Sequence, residues 1–166
     1  MAVPDQGLEL LALYDRALPQ VYGYLIARCS DATVAEDLTS ETFLAAAATH
    51  SDVTPTVGWL IGVARHKLAD HWRWKARQER MLHAVGGFLP ESEDPWDVEL
   101  DGLRAKDVLV RLAPQHRAAL TLRYLDGLSV PETASILDRT MHATEALLVR
   151  ARRAFRHAYE EGDADA

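Results

Sequence analysis

The side chains best suited to contact another molecule lie in residues 140–156, near the carboxyl end of the chain. On a helix with about 3.6 residues per turn, one arc of this segment combines small side chains with guanidinium groups: His142, Ala143, Ala146, Val149, Arg150 and Arg153. Small side chains allow close approach to base edges, and guanidinium groups neutralise phosphates. The pattern is typical of a helix that reads DNA, although a helical hairpin with a solvated basic face has the same spacing.

Two short helices must position this arc. Ser129 and Glu132 have the spacing of a capping box, which predicts that the first helix begins near Val130, and Thr140 can cap the second helix. Opposite the arc, the second helix carries a stripe suited to burial: Thr144, Leu148, Ala151, Phe155 and Tyr159. A buried stripe behind an exposed arc, entered through a short turn, predicts a helix-turn-helix.

Composition limits the class of protein. The chain has 166 residues, of which 48% are hydrophobic and 26% charged, as expected for one or two small helical domains. It has no apolar run of about 18 residues and no signal-peptide pattern at its start, so we expect a cytoplasmic protein with no membrane insertion of its own. Cys29 is the single cysteine, which excludes a disulfide framework and a cysteine-rich zinc site.

The distribution of charge is more informative than its sum. A net charge of −7 disfavours non-specific binding to nucleic acid. Residues 65–80 nevertheless hold six Lys or Arg against two acids, and residues 139–157 hold five Arg against one acid, a local charge of +4 in each segment. Two basic segments on an acidic chain indicate a protein that contacts DNA at two places and binds it poorly by itself.

Two helices are predicted before residue 50. In residues 8–28 the apolar side chains recur at helical spacing, with Pro19 expected to kink or divide the helix. The expected core side chains of this helix are Leu10, Leu11, Tyr14, Leu18, Val21 and Leu25. Thr33 and Glu36 could form a second capping box, which would open a helix that runs to about residue 49.

The second of these helices carries an acidic surface with an aromatic side chain in it. Glu36, Asp37 and Ser40 share the outer faces of the helix with Phe43. An exposed aromatic beside carboxylates suits contact with a protein partner. The alternative is that another helix of the same domain covers Phe43, since amphipathic stripes are often wide.

A third helix is predicted from Thr56 to at least residue 77. Its buried stripe comprises Val57, Leu60, Ile61, Ala64, Leu68 and Trp72, and the opposite side comprises Trp59, His66, Asp70, Arg73 and Arg77. An exposed tryptophan on a basic helix face can stack on unpaired bases, which contributes about 1–3 kcal/mol for each base. His66 and Asp70 lie one turn apart, but no third residue has the spacing of a metal ligand, so neither a metal nor a cofactor is expected.

Residues 81–103 divide the chain. They contain Gly86, Pro90 and Pro95, and residues 91–101 hold six acids and no base. This composition is typical of a flexible, solvated linker. Two folded domains are therefore expected on either side of it.

The expected fold is all-α, with two small helical domains joined by this acidic flexible linker. The N-terminal domain spans residues 1–80, and the C-terminal domain spans residues 104–166. Two further helices are predicted at residues 104–112 and 114–125, ahead of the helix-turn-helix. The C-terminal domain is thus a compact unit of four helices.

Three motifs follow one another along the chain. They are AEDLTSETF at residues 35–43, WLIGVARHKLADHWR at residues 59–73, and LAPQHRAALTLRYLDGLSVPETASIL at residues 112–137, the last continued by LLVRARRAF at residues 147–155. In this order they resemble the core-polymerase-binding helix, the −10 promoter element reader and the −35-reading domain of one family, the extracytoplasmic-function (ECF) group of bacterial RNA polymerase sigma factors. The resemblance covers most of the chain.

The resemblance implies an alternative sigma factor, which binds core RNA polymerase and promoter DNA, promotes DNA melting and has no catalytic site. Docking on the clamp coiled coil of the largest polymerase subunit would involve Glu36, Asp37, Ser40, Glu41 and Phe43. Contacts with the −10 element would involve Trp59, Arg65, His66, Asp70, Arg73 and Arg77. Contacts with the −35 element would involve Thr140, His142, Ala143, Ala146, Arg150 and Arg153. An anti-sigma factor is a further implied partner.

Four positions depart from the family pattern. His66 stands where Asn is common, so an imidazole replaces the amide that would read a flipped base. Asp138 replaces a common turn glycine, and Glu145 and Leu147 replace the usual Lys and Arg. We therefore expect a weak −35 interaction whose salt dependence is set mainly by the arginines further along, Arg150, Arg153 and Arg156.

Two other functions fit parts of the sequence. A two-domain transcriptional regulator, whose N-terminal helices sense a ligand, would shift a promoter fragment without polymerase. A helical adaptor or anti-sigma-binding protein would tolerate charge reversal at Arg65, Arg73 and Arg77 without loss of transcription. An enzyme fits least, because the His, Asp and Glu residues form no nucleophile–base or metal-ligand constellation.

Overall fold

The computed structural model describes residues 6–49, 55–82 and 102–164, and every regular element within these ranges is a helix. The α-helices are α1 (Gln6–Cys29), α2 (Ala32–Ala48), α3 (Val57–Leu82), α4 (Gly102–Arg111), α5 (Pro114–Leu120), α6 (Val130–Ile136) and α7 (Met141–Ala164). The all-α prediction is confirmed. Within the described ranges, no helix is long and apolar enough to cross a bilayer.

The chain forms two compact units, Met1–Leu68 and Ala69–Ala166, and the boundary between them falls within α3. The expectation of two helical domains is confirmed, whereas the limits of those domains, at residues 80 and 104, stay a prediction. Most of the acidic linker, residues 83–101, lies outside the described part of the chain.

In the first unit, α1 packs against α2. The buried side chains of α1 are spaced four residues apart, at Leu13, Ala17, Val21, Leu25 and Cys29. The predicted stripe is right at Val21 and Leu25 and wrong at Leu11 and Tyr14, which are exposed. Apolar residues occupy more than one face of α1, so their spacing alone does not select the buried row. Pro19 lies within the helix without dividing it.

A sharp turn precedes α2. Ser30 has a φ of 55°, in the left-handed region. Asp31 then caps the helix, because its side chain accepts a hydrogen bond from the Val34 N–H at 3.2 Å. The predicted capping box of Thr33 and Glu36 is therefore wrong, since Asp31 already takes the capping position two residues earlier.

The third helix is continuous over 26 residues. Thr56 accepts a hydrogen bond from the Trp59 N–H at 3.1 Å, which fixes the first turn of α3. The central part of the predicted stripe is confirmed, since Leu60, Ala64, Leu68 and Trp72 are all buried. The opposite side of α3 is thereby turned outward over several turns.

In the second unit, α4 and α5 pack on α7. Their shared core contains Val108, Leu120, Ala151 and Phe155. The Arg104 guanidinium donates to the Tyr159 carbonyl and lies 4.1 Å from the centre of the Tyr159 ring, which holds the beginning of α4 against the end of α7.

A π-helical turn, Thr121–Leu125, extends α5. The Asp126 N–H donates to the Thr121 carbonyl at 3.0 Å, a bond between residues five apart. Gly127 follows with a φ of 68°, which glycine adopts without steric penalty. The chain then enters α6.

The start of α6 and the turn between α6 and α7 are built as the sequence predicts. The Ser129 hydroxyl accepts from the Glu132 N–H at 3.3 Å, and the Glu132 carboxylate accepts from the Ser129 N–H at 2.7 Å, which completes the capping box. Asp138 has a φ of 52°, a conformation in which glycine is the usual residue. Thr140 caps α7 by accepting from the Ala143 N–H at 3.1 Å.

Candidate nucleic-acid and partner interfaces

The predicted arc of α7 is turned away from the core. His142 and Arg150 are exposed, and Ala143, Ala146 and Arg153 are half-buried. Behind them lie the buried side chains Thr144, Leu148, Ala151 and Phe155, as predicted. The buried stripe fixes the rotation of α7, so the small side chains and the guanidinium groups share one accessible face.

Leu147 is only 2% exposed and belongs to the core, so its side chain is not available for a phosphate contact. The expectation of few phosphate contacts at the start of α7 stays a prediction. Glu145 is exposed, as expected for a residue that lowers the positive charge of the first turns. Within the described residues, Arg150 and Arg153 form no ion pair.

The turn before α7 is polar and electropositive. A cavity of about 380 Å³ is lined by Ala134, Ser135, Asp138, Arg139 and Thr140. Burial and the charges of Arg80, Arg150 and Arg73 lower the pKa of Arg139 from its usual value. Burial and the charge of Arg150 also lower the pKa of His116, which keeps that imidazole neutral near neutral pH. The positive field at this turn therefore comes from arginines.

The predicted −10 residues follow one another along α3. Trp59 is 40% exposed, and the others that face solvent are His66, Asp70 and Arg77. Arg65 and Arg73 are half-buried. This part of α3 thus combines an accessible indole ring with basic side chains.

In the second unit, Arg73 is paired with carboxylates. Its guanidinium donates to Asp70 and lies 3.7 Å from the Asp138 carboxylate, in the turn before α7. Its buried Nε atom has no hydrogen-bond partner within the described residues. The positive charge of Arg73 is therefore compensated in this structure.

Sequence reasoning missed Trp74. This side chain is 52% exposed, and its ring centre lies 6.2 Å from that of His71. Trp72, two residues earlier, is buried. The one available signal was a second tryptophan in the basic segment 65–80, which the helical spacing places on neither the buried stripe nor the opposite side.

The outer face of α2 differs from the prediction at one residue. Glu36, Asp37, Ser40 and Glu41 are exposed as predicted. Phe43 is only 9% exposed, so its place on the exposed face is wrong, and the alternative that another helix of the same domain covers it is confirmed. The physical reason is a contact with α1, where the Tyr14 ring meets the Phe43 ring edge-on, with centres 4.7 Å apart.

The exposed apolar residue at this end of α2 is Leu44, which sequence reasoning also missed. It is 69% exposed. The Oε2 atom of Glu41, one turn earlier, lies 3.7 Å from the Nζ atom of Lys67 in α3. The face of α2 therefore consists of carboxylates, a serine hydroxyl and one leucine.

Two regions of the Sigma-70 family match separate parts of the chain. Residues 13–78 match Sigma-70 region 2, and residues 103–155 match Sigma-70, region 4. Among solved structures, the sigma factor RpoE from Bartonella quintana has a TM-score of 0.53 and 23% identity, and the match covers 95% of this chain and 98% of RpoE. At this level of identity the likeness shows the fold alone.

Curated relatives of this chain are named ECF RNA polymerase sigma factors. ECF RNA polymerase sigma factor SigL of Mycobacterium tuberculosis is 32% identical over 171 residues, which cover 96% of this chain and 94% of SigL. BldN of Streptomyces coelicolor, another ECF sigma factor, is 37% identical over 149 residues, which cover 84% of this chain and 56% of BldN. The chain therefore belongs to the ECF group of RNA polymerase sigma factors, which recognise promoters for transcription initiation.

Proposed function

We propose that this chain binds core RNA polymerase through α2 and contacts a promoter with two helices, the −35 element through α7 and the −10 element through α3. The observation that carries the proposal is the accessible face of α7, where small side chains over a buried stripe precede Arg150 and Arg153, which form no ion pair within the described residues. The basic face of α3, with its accessible Trp59, supports a second contact of different chemistry.

At the −35 element, α7 would lie in the major groove. Ala143 and Ala146 leave room for base edges near His142, and the hydroxyl of Thr140 lies at the entrance to the helix. Arg150 and Arg153 would neutralise phosphates. The exposed carboxylate of Glu145 would weaken the contact, so this element adds a modest part of the total affinity.

At the −10 element, α3 would hold the unpaired strand. Trp59 would stack on a base, with Arg65 and Arg77 close to the phosphates and His66 facing the bases. Flipping a base out of the duplex costs a few kcal/mol, and binding of the flipped base offsets that cost. Because the chain would bind the open state better than the closed one, it would shift the promoter toward melting without any bond chemistry.

On α2, the exposed carboxylates Glu36, Asp37 and Glu41, together with Ser40, would dock on the clamp coiled coil of the largest polymerase subunit. The acidic linker would then thread through the polymerase toward the RNA exit channel. Phe43 would support this face from beneath, since Tyr14 covers it.

The remaining parts of the proposal concern location and regulation. We place the chain in the cytoplasm, without a catalytic site of its own. An anti-sigma factor is a proposed partner, and the RpoE structure that shares this fold was solved in complex with the anti-sigma factor NepR. As membership of the family implies, this partner would hold the chain inactive until it releases the chain.

Reconstitution with a competent core polymerase tests the proposal. The full chain and core enzyme are incubated with genomic DNA and nucleotides, and the 5′ ends of the transcripts are sequenced. Initiation at a shared pair of promoter elements is expected with the chain and not with core enzyme alone. Absence of promoter-specific initiation would refute the proposal, and a promoter fragment shifted equally well by the free chain would favour a conventional regulator.

A further inference from the structure

The cavity beside the turn between α6 and α7 has a polar wall. It holds about 380 Å³ and is lined by Ala134, Ser135, Asp138, Arg139 and Thr140. Ser135 and Thr140 are exposed, and their hydroxyl groups can donate hydrogen bonds. A cavity of this volume accommodates a small organic ligand. The proposed promoter contacts use only Thr140 among these five residues, so most of the wall has no assigned role.

Arg139 supplies a positive charge to this wall, and no carboxylate compensates it. In the described part of the chain its guanidinium forms no ion pair, although Asp138 precedes it directly. Burial and, after it, the charges of Arg80, Arg150 and Arg73 lower the pKa of Arg139. Four guanidinium groups therefore lie close enough to repel one another. Such repulsion disfavours the folded chain unless an anion offsets it.

The second half of α3 contributes two of these four arginines, and it is held against the rest of the second unit. The Nη1 atom of Arg73 lies 3.7 Å from the Oδ2 atom of Asp138. The Arg117 guanidinium of α5 lies 5.7 Å from the centre of the Trp72 ring. The buried Nε atom of Arg73 has no hydrogen-bond partner among the described residues. A buried donor without a partner is costly, and an anion would satisfy it.

One carboxylate, that of Asp138, lines the cavity and opposes an anion there. Arg73 lies beside this carboxylate and also donates to Asp70. The four arginines outnumber these two acids, so the region keeps a positive charge. Planar guanidinium groups bind two oxygen atoms of a phosphate at once, and hydroxyl groups donate to the remaining ones. The side chains around the cavity therefore favour phosphate groups.

The position of the cavity separates a free ligand from promoter DNA. Elements centred at −10 and −35 lie about 25 base pairs apart, which is about 85 Å at roughly 3.4 Å per base pair. Arg73 of α3 and Asp138 of the turn are 3.7 Å apart. This contact cannot persist while α3 and α7 lie on their separate elements. An anion held by α3 and the turn together therefore belongs to the chain off the promoter.

We propose that this cavity binds a small molecule with two or more adjacent phosphate groups. The side chains that hold the phosphates come from the turn and from α3: Ser135, Arg139, Thr140, Arg73 and Arg80. The ligand offsets the repulsion among the arginines and bridges α3 to the turn, so it stabilises the contact that promoter binding must break. Occupation of the cavity is independent of the proposed function, whereas the opposition to promoter binding rests on it.

The test measures binding of inorganic pyrophosphate to the full chain by isothermal titration calorimetry, in a buffer without phosphate or sulfate. Arg139→Gln should weaken binding about tenfold or more, because a charge-assisted hydrogen bond to phosphate is lost. Arg80→Gln should weaken it about twofold to fivefold, since this side chain is exposed and water screens its charge. Asp138→Asn should strengthen binding by about the same factor as Arg80→Gln weakens it, because a carboxylate leaves the wall.

Arg111→Gln is the matched control. Arg111 is an exposed arginine of α4 that lies outside the cavity wall and donates to the Asp107 carbonyl of its own helix. Its replacement removes the same charge and should leave the dissociation constant within about 1.5-fold of the parent value. Pyrophosphate should raise the melting temperature of the parent chain and of Arg111→Gln, and it should not raise that of Arg139→Gln.

Two checks keep the test decisive. Arg139 is half-buried, so Arg139→Gln should first be shown to keep the circular dichroism spectrum and melting temperature of the ligand-free parent. Arg80 is exposed, so Arg80→Gln tests the site without disturbing the packing of the turn. In nucleotide-free mixtures with core polymerase, pyrophosphate should lower the fraction of parent chain in promoter complexes more than that of Arg139→Gln.

Each failure has its own meaning. If pyrophosphate does not bind the parent chain, or binds Arg139→Gln and Arg111→Gln equally well, the site is refuted. If Arg139→Gln weakens binding and Arg80→Gln does not, the bridge to α3 is refuted. If pyrophosphate does not bind and both variants lose affinity for duplex promoter DNA, the arginines serve DNA instead. If pyrophosphate binds as expected but no promoter complex forms with core polymerase, the proposed function fails and the site stands.

Discussion

The helices α3 and α7 both carry basic side chains opposite a buried stripe, but they hold their charges differently. On α7, Arg150 and Arg153 have no acidic partner within the described residues, and Arg152 donates to the neutral Tyr124 hydroxyl at 3.2 Å. On α3, Arg73 is close to two carboxylates. The local charge of +4 in each segment therefore conceals a difference in how much charge is available.

This difference shows how each helix would gain affinity for DNA. Arg150 and Arg153, which form no ion pair within the described residues, would release counterions on meeting phosphates, so that contact would depend steeply on salt. The charge on α3 is partly compensated, also at Lys67 beside Glu41, while the indole ring of Trp59 is accessible. Stacking on an unpaired base depends less on salt. One helix is thus suited to duplex phosphates and the other to an opened strand.

The largest effect should come from Trp59→Ala. Loss of one base stack, about 1–3 kcal/mol, should reduce binding of the holoenzyme to a single-stranded −10 oligonucleotide about fivefold to a hundredfold. Trp59→Phe keeps an aromatic face and should recover much of the loss. Permanganate reactivity of the promoter measures the corresponding loss of melting. An equal loss of closed-complex affinity would remove the distinction between the two helices.

A smaller effect is expected for Arg150→Ala. The slope of log affinity against log salt for duplex promoter DNA should fall by about one, because one phosphate contact is lost. Arg73→Ala should change this slope less, since Asp70 and Asp138 already compensate its charge. The measurement is a salt titration of holoenzyme binding. Equal changes in the two variants would show that Arg73 leaves its carboxylates when DNA binds.

The smallest effect is expected for Asp138→Asn, which keeps a residue tolerated at positive φ and removes one carboxylate beside Arg73. Binding of single-stranded −10 DNA should tighten by a factor of about 1.5 to 5, the range that exposed ion pairs contribute. Glu145→Gln is the matched control, because it removes an exposed acid of α7 that does not pair with Arg73. A similar gain in the control would attribute the effect to net charge alone.

Local rules predicted much of the fold from the sequence. The capping box at Ser129 and Glu132 depends on residues three positions apart, and it formed as predicted. The stripes of α3 and α7 were predictable because each has apolar residues on one side and charged residues on the other. The turn at Asp138 was identified from the family resemblance, which implies a glycine there, and its φ of 52° lies in the region that favours glycine.

The wrong predictions concern side chains whose burial is decided by a contact with another helix. The burial of Phe43 depends on Tyr14 of α1, and no spacing within α2 could reveal it. The apolar residues of α1 allow several buried rows, and packing against α2 selects one. Leu147 is buried for the same reason, since a wide core covers more of α7 than its central stripe. The site residues are therefore easier to assign to a helix than to a face of it.

The π-helical turn at Thr121–Leu125 has a consequence for the evolution of this chain. A bond spanning five residues accommodates one residue more than the α-helix would, as a single-residue insertion does. Removal of that residue would restore regular winding but would turn the following side chains by about 100°. The direction in which the chain departs toward α6, and with it the heading of α7, is thus set by a count of residues.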